Sequence, residues 1–133
     1  MLDLLKKAEG DFKLIEVVMP FVKEPWAMQA VMYNIQQAIE KLLKVLILLS
    51  GNRYPREHNI RILMTKCTGF QLPAELDALA DSLSLWEAGV RYDSTILTTE
   101  DILNRCIDLY KQLHNLVLSV VSDTQPTQLF GEP

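Results

Sequence analysis

The sequence contains few of the residues on which secreted and metal-binding proteins depend. Its 133 residues include two cysteines and two histidines. Cys67 and Cys106 both fall on apolar stretches with helical spacing, so we expect them to remain reduced in a cytoplasmic core. His58 and His114 lie far apart, and neither stands at a metal-ligand spacing from a cysteine. The sequence therefore indicates no metal site.

Enzyme motifs and membrane segments are also missing from the sequence. There is no glycine-rich phosphate loop, no paired-histidine zinc helix and no Gly-x-Ser-x-Gly nucleophile. The longest unbroken apolar run, Val45–Leu49, is far shorter than the roughly 20 residues that cross a membrane. Residues Met1–Lys7 lack the basic start and long apolar run of a signal peptide. We expect a cytoplasmic protein that uses no cofactor and does not enter a membrane.

The spacing of the apolar residues predicts helices along most of the chain. Apolar side chains recur at steps of three and four residues in segments 3–19, 25–50, 58–68, 73–93 and 99–122. No segment has the alternating pattern of a β-strand. Short links between the segments predict an all-α fold, an up-and-down antiparallel bundle of about five helices. We expect one domain over residues 1–122 and a loose tail over residues 123–133.

The segment 25–50 is the longest predicted helix and is expected to lie at the centre of the bundle. Pro25 suits the first helical position, and Gly51 suits the residue just past the end. The side opposite the apolar stripe carries Gln29, Tyr33, Gln36, Gln37, Glu40, Lys41 and Lys44. The last turn, Val45–Leu49, is apolar all round, which indicates burial on several sides or a subunit contact. Because one copy offers few apolar faces to cover it, we expect a homodimer through the long or the last helix.

Positive charge is concentrated between Lys41 and Lys66. This stretch carries six basic residues and one acid, whereas the whole chain has a net charge of −4. Such a surface attracts anions, and the free N–H groups of a helix beginning at His58 would add to it. A solvated basic face without a ligand would give the same sequence pattern. The candidate ligand-binding residues are Lys44, Arg53, Arg56, His58, Arg61 and Arg91.

Arg53 and His58 are separated by four residues, which raises one catalytic possibility. An arginine can hold a phosphate while a histidine moves a proton, and RNA cleavage through the 2′-hydroxyl needs both actions. The same pair has a structural interpretation, in which His58 caps or packs at a helix start and Arg53 is an ordinary loop residue.

Several short motifs, in order along the chain, resemble those of HEPN domains (higher eukaryotes and prokaryotes nucleotide-binding). Residues Tyr33–Lys44 contain Gln-Gln-Ala followed by Glu-Lys and a further Lys, which is similar to the family's signature helix. Pro55 with His58-Asn59-Ile60 resembles its Pro…His-Asp/Asn-aliphatic loop. Leu72–Leu76 and Arg91–Asp93 resemble the family's later landmarks, and Ala8-x-x-Asp11-Phe12 fits its first helix more loosely. Together the motifs cover roughly residues 8–122.

The resemblance implies a small helical bundle that is commonly a dimer. It also implies a cytoplasmic prokaryotic protein, often encoded beside a minimal nucleotidyltransferase as a toxin–antitoxin-like pair. Catalytic members of the family are metal-independent ribonucleases. They use an Arg-x(4–6)-His motif, in many cases followed two residues later by Tyr, at a site formed across the dimer.

This sequence departs from the ribonuclease pattern in two respects. The Arg53-x4-His58 pair lies between the second and third predicted helices, earlier than the family's motif, and Ile60 stands where Tyr is often found. We therefore expect a non-catalytic module that binds a nucleotide or phosphate and pairs with a nucleotidyltransferase. The alternative is an RNA endonuclease, a toxin that uses Arg53 and His58.

Overall fold

The computed structural model describes residues 1–84 and 100–124, and this part of the chain consists of helices joined by short links. The elements are α1 (Leu2–Val18), a 3₁₀ turn (Met19–Phe21), α2 (Pro25–Leu49), α3 (Ile60–Lys66), α4 (Ala74–Ser84) and α5 (Glu100–Ser122). No strand occurs within the described ranges. The predicted all-α bundle is confirmed. The expected end of the fourth helix near residue 93, the loop 93–98 and most of the tail lie outside the described residues.

Helix α2 is the central element of the fold. Helices α1 and α5 pack against it, and α3 and α4 contact both α2 and each other. Its apolar stripe lies in one core cluster with residues from α1, α3, α4 and α5. In residues 1–84 and 100–124, no helix is long and apolar enough to cross a membrane.

Part of the apolar last turn of α2 is covered within a single chain. Val45, Leu46 and Ile47 have no exposed surface, and they share the core cluster with Ile60 and Leu63 of α3. One copy therefore buries the first part of this turn, because α3 packs over it, whereas Leu48 and Leu49 are only half-buried. Burial on several sides is confirmed for Val45–Ile47, and a subunit contact through the rest of the turn stays a prediction.

The end of α2 is fixed by backbone geometry at Gly51. This glycine has a positive φ of 89°, which side chains with a Cβ rarely adopt. Its N–H donates to Leu48 O (3.0 Å), and the Asn52 N–H donates to Ile47 O (3.2 Å). These two bonds form a Schellman cap, which satisfies carbonyl groups that the helix end would leave unpaired. The predicted role of Gly51 is confirmed.

Two predicted helix starts are displaced. Helix α1 begins at Leu2, one residue before the predicted segment 3–19, so Asp3 lies in its first turn and pairs with Lys7 at 3.4 Å. Helix α3 begins at Ile60, because the Asn59 side chain accepts the Ile62 N–H (3.1 Å) and caps it. His58 therefore stands just outside the helix.

The two cysteines are buried free thiols. Burial raises the pKa of Cys67 and of Cys106 to about 12, because a thiolate is poorly solvated in apolar surroundings. Both side chains therefore remain protonated and act as small core residues.

Replacement by alanine should have opposite effects on stability at Gly51, which has a positive φ, and at Gly10, which lies inside a helix. Gly51→Ala places a Cβ at positive φ and should lower the free energy of unfolding by about 1 kcal/mol. Gly10 lies inside α1, where an added Cβ meets nothing within 4 Å, so Gly10→Ala should raise it by about 0.5–1 kcal/mol. Urea denaturation of both variants checks this. A stabilising effect of Gly51→Ala would contradict the role assigned to the cap.

Candidate functional site

A line of polar side chains on α2 is buried, although the helical pattern placed it opposite the apolar stripe. Gln36, Glu40 and Lys44 are spaced by four residues and have exposed fractions of 0%, 4% and 8%. Such spacing puts the three side chains on one helix face. The loop after α2 contacts two of them: Tyr54 places its ring 5.3 Å from Lys44 Nζ, and His58 contacts Glu40.

The Glu40 carboxylate is the centre of this buried group. Its Oε1 accepts from Gln36 Nε2 at 3.2 Å, and its Oε2 pairs with Lys44 Nζ at 3.4 Å. His58 Nδ1 lies 3.0 Å from the same Oε1. A buried carboxylate needs this number of partners, because it has lost the water that would solvate it.

The contact with Glu40 sets the orientation of the His58 ring. An ionised carboxylate only accepts hydrogen bonds, so His58 carries a hydrogen on Nδ1 and presents Nε2 on the other side of the ring. The His58 side chain is 57% exposed, so it is accessible to solvent. The buried Glu40 thus orients the exposed imidazole of His58.

The backbone beside His58 is also held by a carboxylate. Glu57 Oε1 accepts the N–H groups of His58 (3.1 Å) and Asn59 (3.0 Å). The next N–H, of Ile60, donates to Ser84 Oγ at the end of the described part of α4 (3.2 Å). Glu57, His58, Asn59 and Ser84 line an open depression of about 290 Å³.

The predicted ligand-binding residues fall into distinct groups in the structure. Arg53 and Arg56 are exposed on the loop of residues 51–59, hereafter the basic loop. Neither has an ion-pair partner among residues 1–84 and 100–124, whereas Lys44 lies beneath the loop and is paired with Glu40. The basic loop therefore carries two exposed guanidinium groups and an oriented histidine.

Arg61 points away from the basic loop towards α4. It bonds to Asp77 (Nη1–Oδ1, 2.8 Å) and Asp81 (Nε–Oδ1, 3.1 Å), and hydrogen bonds to these acids raise the pKa of Arg61. We therefore do not include it in the site, since its donors are already used. Arg91 lies outside the described residues.

Sequence reasoning missed the residues that hold the histidine in place. Glu40 was assigned only to the polar side of its helix, and Glu57 and Ser84 were not considered. The four-residue spacing of Gln36, Glu40 and Lys44 was an available signal, since it puts an acid between an amide and a cation on one face. In the part of the chain that the structure describes, no three His, Cys, Asp or Glu side chains converge as a metal site requires.

The model of the HEPN domain matches residues 1–120 of this chain. The chain belongs to the HEPN family. This membership indicates a function related to nucleotides or RNA, and HEPN domains commonly dimerise. No significant match was found among curated proteins or among solved structures. The buried Glu40 group and the basic loop both lie inside the matched range.

The buried pair of Glu40 and Lys44 should be far more sensitive to the loss of one partner than to the loss of both. Lys44→Met leaves an uncompensated carboxylate in the interior and should cost about 3 kcal/mol of unfolding free energy. Glu40→Gln/Lys44→Met removes both charges and should recover most of that loss. Urea denaturation of the single and double variants measures the difference.

The matched control for this comparison is Lys7→Met. Lys7 pairs with Asp3 at the same spacing, but both side chains are mostly exposed, so its loss should cost no more than about 0.5 kcal/mol. Equal destabilisation by Lys44→Met and Lys7→Met would show that burial does not strengthen the Glu40 pair.

Proposed function

We propose that this HEPN protein is a non-catalytic module that binds the phosphate of a nucleotide at its basic loop. Arg53 and Arg56 supply the charge, and His58 supplies an oriented ring. A guanidinium group can bind phosphate through two parallel hydrogen bonds. Neither arginine forms an ion pair within residues 1–84 and 100–124, and this supports the assignment.

The observation that carries the proposal is the 3.0 Å contact between Glu40 Oε1 and His58 Nδ1. Because the Nδ1 hydrogen is bonded to the buried carboxylate, Nε2 is the ring atom left for a ligand. A bound phosphate would lie between that nitrogen and the arginines. The side chain is therefore already oriented, so little rotamer freedom is lost on binding.

The partners that we propose follow from the family rather than from a contact in the structure. We propose that the chain forms a homodimer and pairs with a minimal nucleotidyltransferase in a toxin–antitoxin-like system in the cytoplasm. The two buried free thiols, Cys67 and Cys106, suit a reducing compartment. In a dimer, two basic loops would be available to nucleotide or RNA.

The Glu40–His58 contact also favours a second candidate, a metal-independent ribonuclease. A carboxylate that orients a histidine is a recurrent feature of acid–base catalysis, and Arg53 could hold the phosphate. We rank this candidate second, since Ile60 replaces the frequent Tyr and the Arg-x4-His pair precedes α3.

Removing the guanidinium groups of the basic loop should abolish most phosphate binding. Calorimetry with ATP, GTP and AMP at low salt should detect binding by the wild type. Arg53→Ala/Arg56→Ala should weaken it by about tenfold or more, and raised salt should do the same, because the attraction is electrostatic. Arg105→Ala, which removes an exposed arginine paired with Glu75, is the matched control and should change affinity by less than about twofold.

Absence of binding by all three nucleotides would contradict the proposal. Equal losses in the loop variant and in Arg105→Ala would mean that only the overall charge matters.

A test for RNA cleavage in the presence of a chelator separates the two candidates. On our first proposal the wild type leaves RNA intact. Cleavage that His58→Ala and Arg53→Ala abolish, and that Arg105→Ala retains, would instead establish the ribonuclease. Cleavage unchanged in His58→Ala would rule out the site at the basic loop as its source.

A further inference from the structure

Helices α1 and α5 both pack on α2 and leave an open groove between them. This groove has a volume of about 530 Å³, which is within the usual range for small-molecule sites. It shares no residue with the basic loop or with the depression beside His58. Its lining includes aromatic rings, lysines and one glycine.

Three rings in the groove form a parallel stack. The Phe12 and Tyr110 rings have centroids 4.2 Å apart and an interplanar angle of 6°, and Tyr110 and His114 are 5.5 Å apart at 11°. His114 is held by Glu9, whose Oε2 lies 2.8 Å from Nε2, and its side chain is 22% exposed. A fixed stack with an accessible end offers a surface on which a further flat ring can stack.

Three lysines surround the ring stack. Lys6 and Lys13 of α1 and Lys111 of α5 line the groove and are exposed. None has an ion-pair partner in the described ranges, and the only carboxylate that lines the groove, that of Glu9, is bonded to His114. On a chain with a net charge of −4, these lysines form a second local surface that attracts anions.

Two acids next to the ring stack, Glu9 and Asp11, are already paired with other side chains. Asp11 is paired with Lys41 at 2.6 Å. Burial, with smaller contributions from Glu9, Asp11 and Glu16, raises the pKa of Tyr110 to about 12. The Tyr110 hydroxyl therefore stays neutral at physiological pH and adds no negative charge to the groove.

Gly10 forms part of the groove wall, and packing does not explain it. It lies in the interior of α1, where glycine is less stable than alanine. A Cβ at this position would meet nothing within 4 Å, so no protein neighbour requires the missing side chain. The bare backbone leaves this part of the groove wall without a side chain.

We propose that the groove between α1 and α5 binds a small planar aromatic anion. Its ring stacks on the Phe12–Tyr110–His114 group, and its negative charge is neutralised by Lys6, Lys13 and Lys111. Gly10 leaves room for the ligand against the helix backbone. This site is separate from the phosphate site at the basic loop and does not depend on it.

The test uses the full chain carrying Arg53→Ala/Arg56→Ala, so that the basic loop does not contribute. Calorimetry compares AMP and phenyl phosphate, which have a ring and an anion, with adenosine and inorganic phosphate, which have one of the two. At least one of the first pair should bind about tenfold more tightly than either of the last two. Failure of both AMP and phenyl phosphate to bind at millimolar concentration would overturn the proposal. Equal affinity for inorganic phosphate would also do so, since lysines alone would then suffice.

Two further variants in this background locate the binding in the groove. Gly10→Gln fills the groove without removing a core contact and should weaken AMP binding by about tenfold. The thermal stability of this variant should be unchanged or higher. Lys6→Gln should weaken it by about threefold or more, whereas the neighbouring Lys7→Gln should change it by less than about twofold, because Lys7 pairs with Asp3 instead. AMP binding that is unaltered by both Gly10→Gln and Lys6→Gln would place the ligand elsewhere and refute the proposal.

Discussion

The burial of the Glu40 carboxylate in the central helix is the constraint on which the candidate site depends. An ion removed from water must be matched by nearby donors, or it destabilises the fold by several kcal/mol. Lys44 supplies the counter-charge one turn away, but Glu40 Oε1 also lies 3.0 Å from His58 Nδ1 on the loop. If the loop left the bundle, the buried Glu40 carboxylate would lose its contact with His58. The orientation of the accessible His58 side chain therefore depends on a buried residue, Glu40.

The basic residues between Lys41 and Lys66 illustrate why net charge alone does not identify a site. Lys41 is used against Asp11 of α1, at 2.6 Å, and Lys44 neutralises Glu40. Arg61 joins α3 to α4. The loop arginines are exposed and unpaired within the described ranges, so they are the cations that a ligand can use. The local excess of positive charge is real, but three of its six basic residues are used in ion pairs within the bundle.

The fold was predictable because its signals are local. Apolar residues at helical spacing, Pro25 at a first position and Gly51 past an end each act through their own few residues. The site was less predictable, because the loop that contacts Glu40 and Lys44 comes many residues later. The same limit applies to Arg61, whose acids lie on the next helix, and to Val45–Leu49, whose burial depends on where α3 folds. Phe12 and Tyr110 stack from opposite ends of the chain, a contact that periodicity does not reveal.

Helix α3 is only seven residues long, too short to be stable alone in water. Its first N–H bonds to Ser84 Oγ and its Arg61 is held by two acids of α4, so α4 supplies much of its support. The two helices should consequently open and close as one cooperative unit in hydrogen exchange. His58 directly precedes that unit. Whatever detaches α4 from the bundle would therefore also release the imidazole from Glu40, so the shape of the basic loop depends on a helix outside that loop.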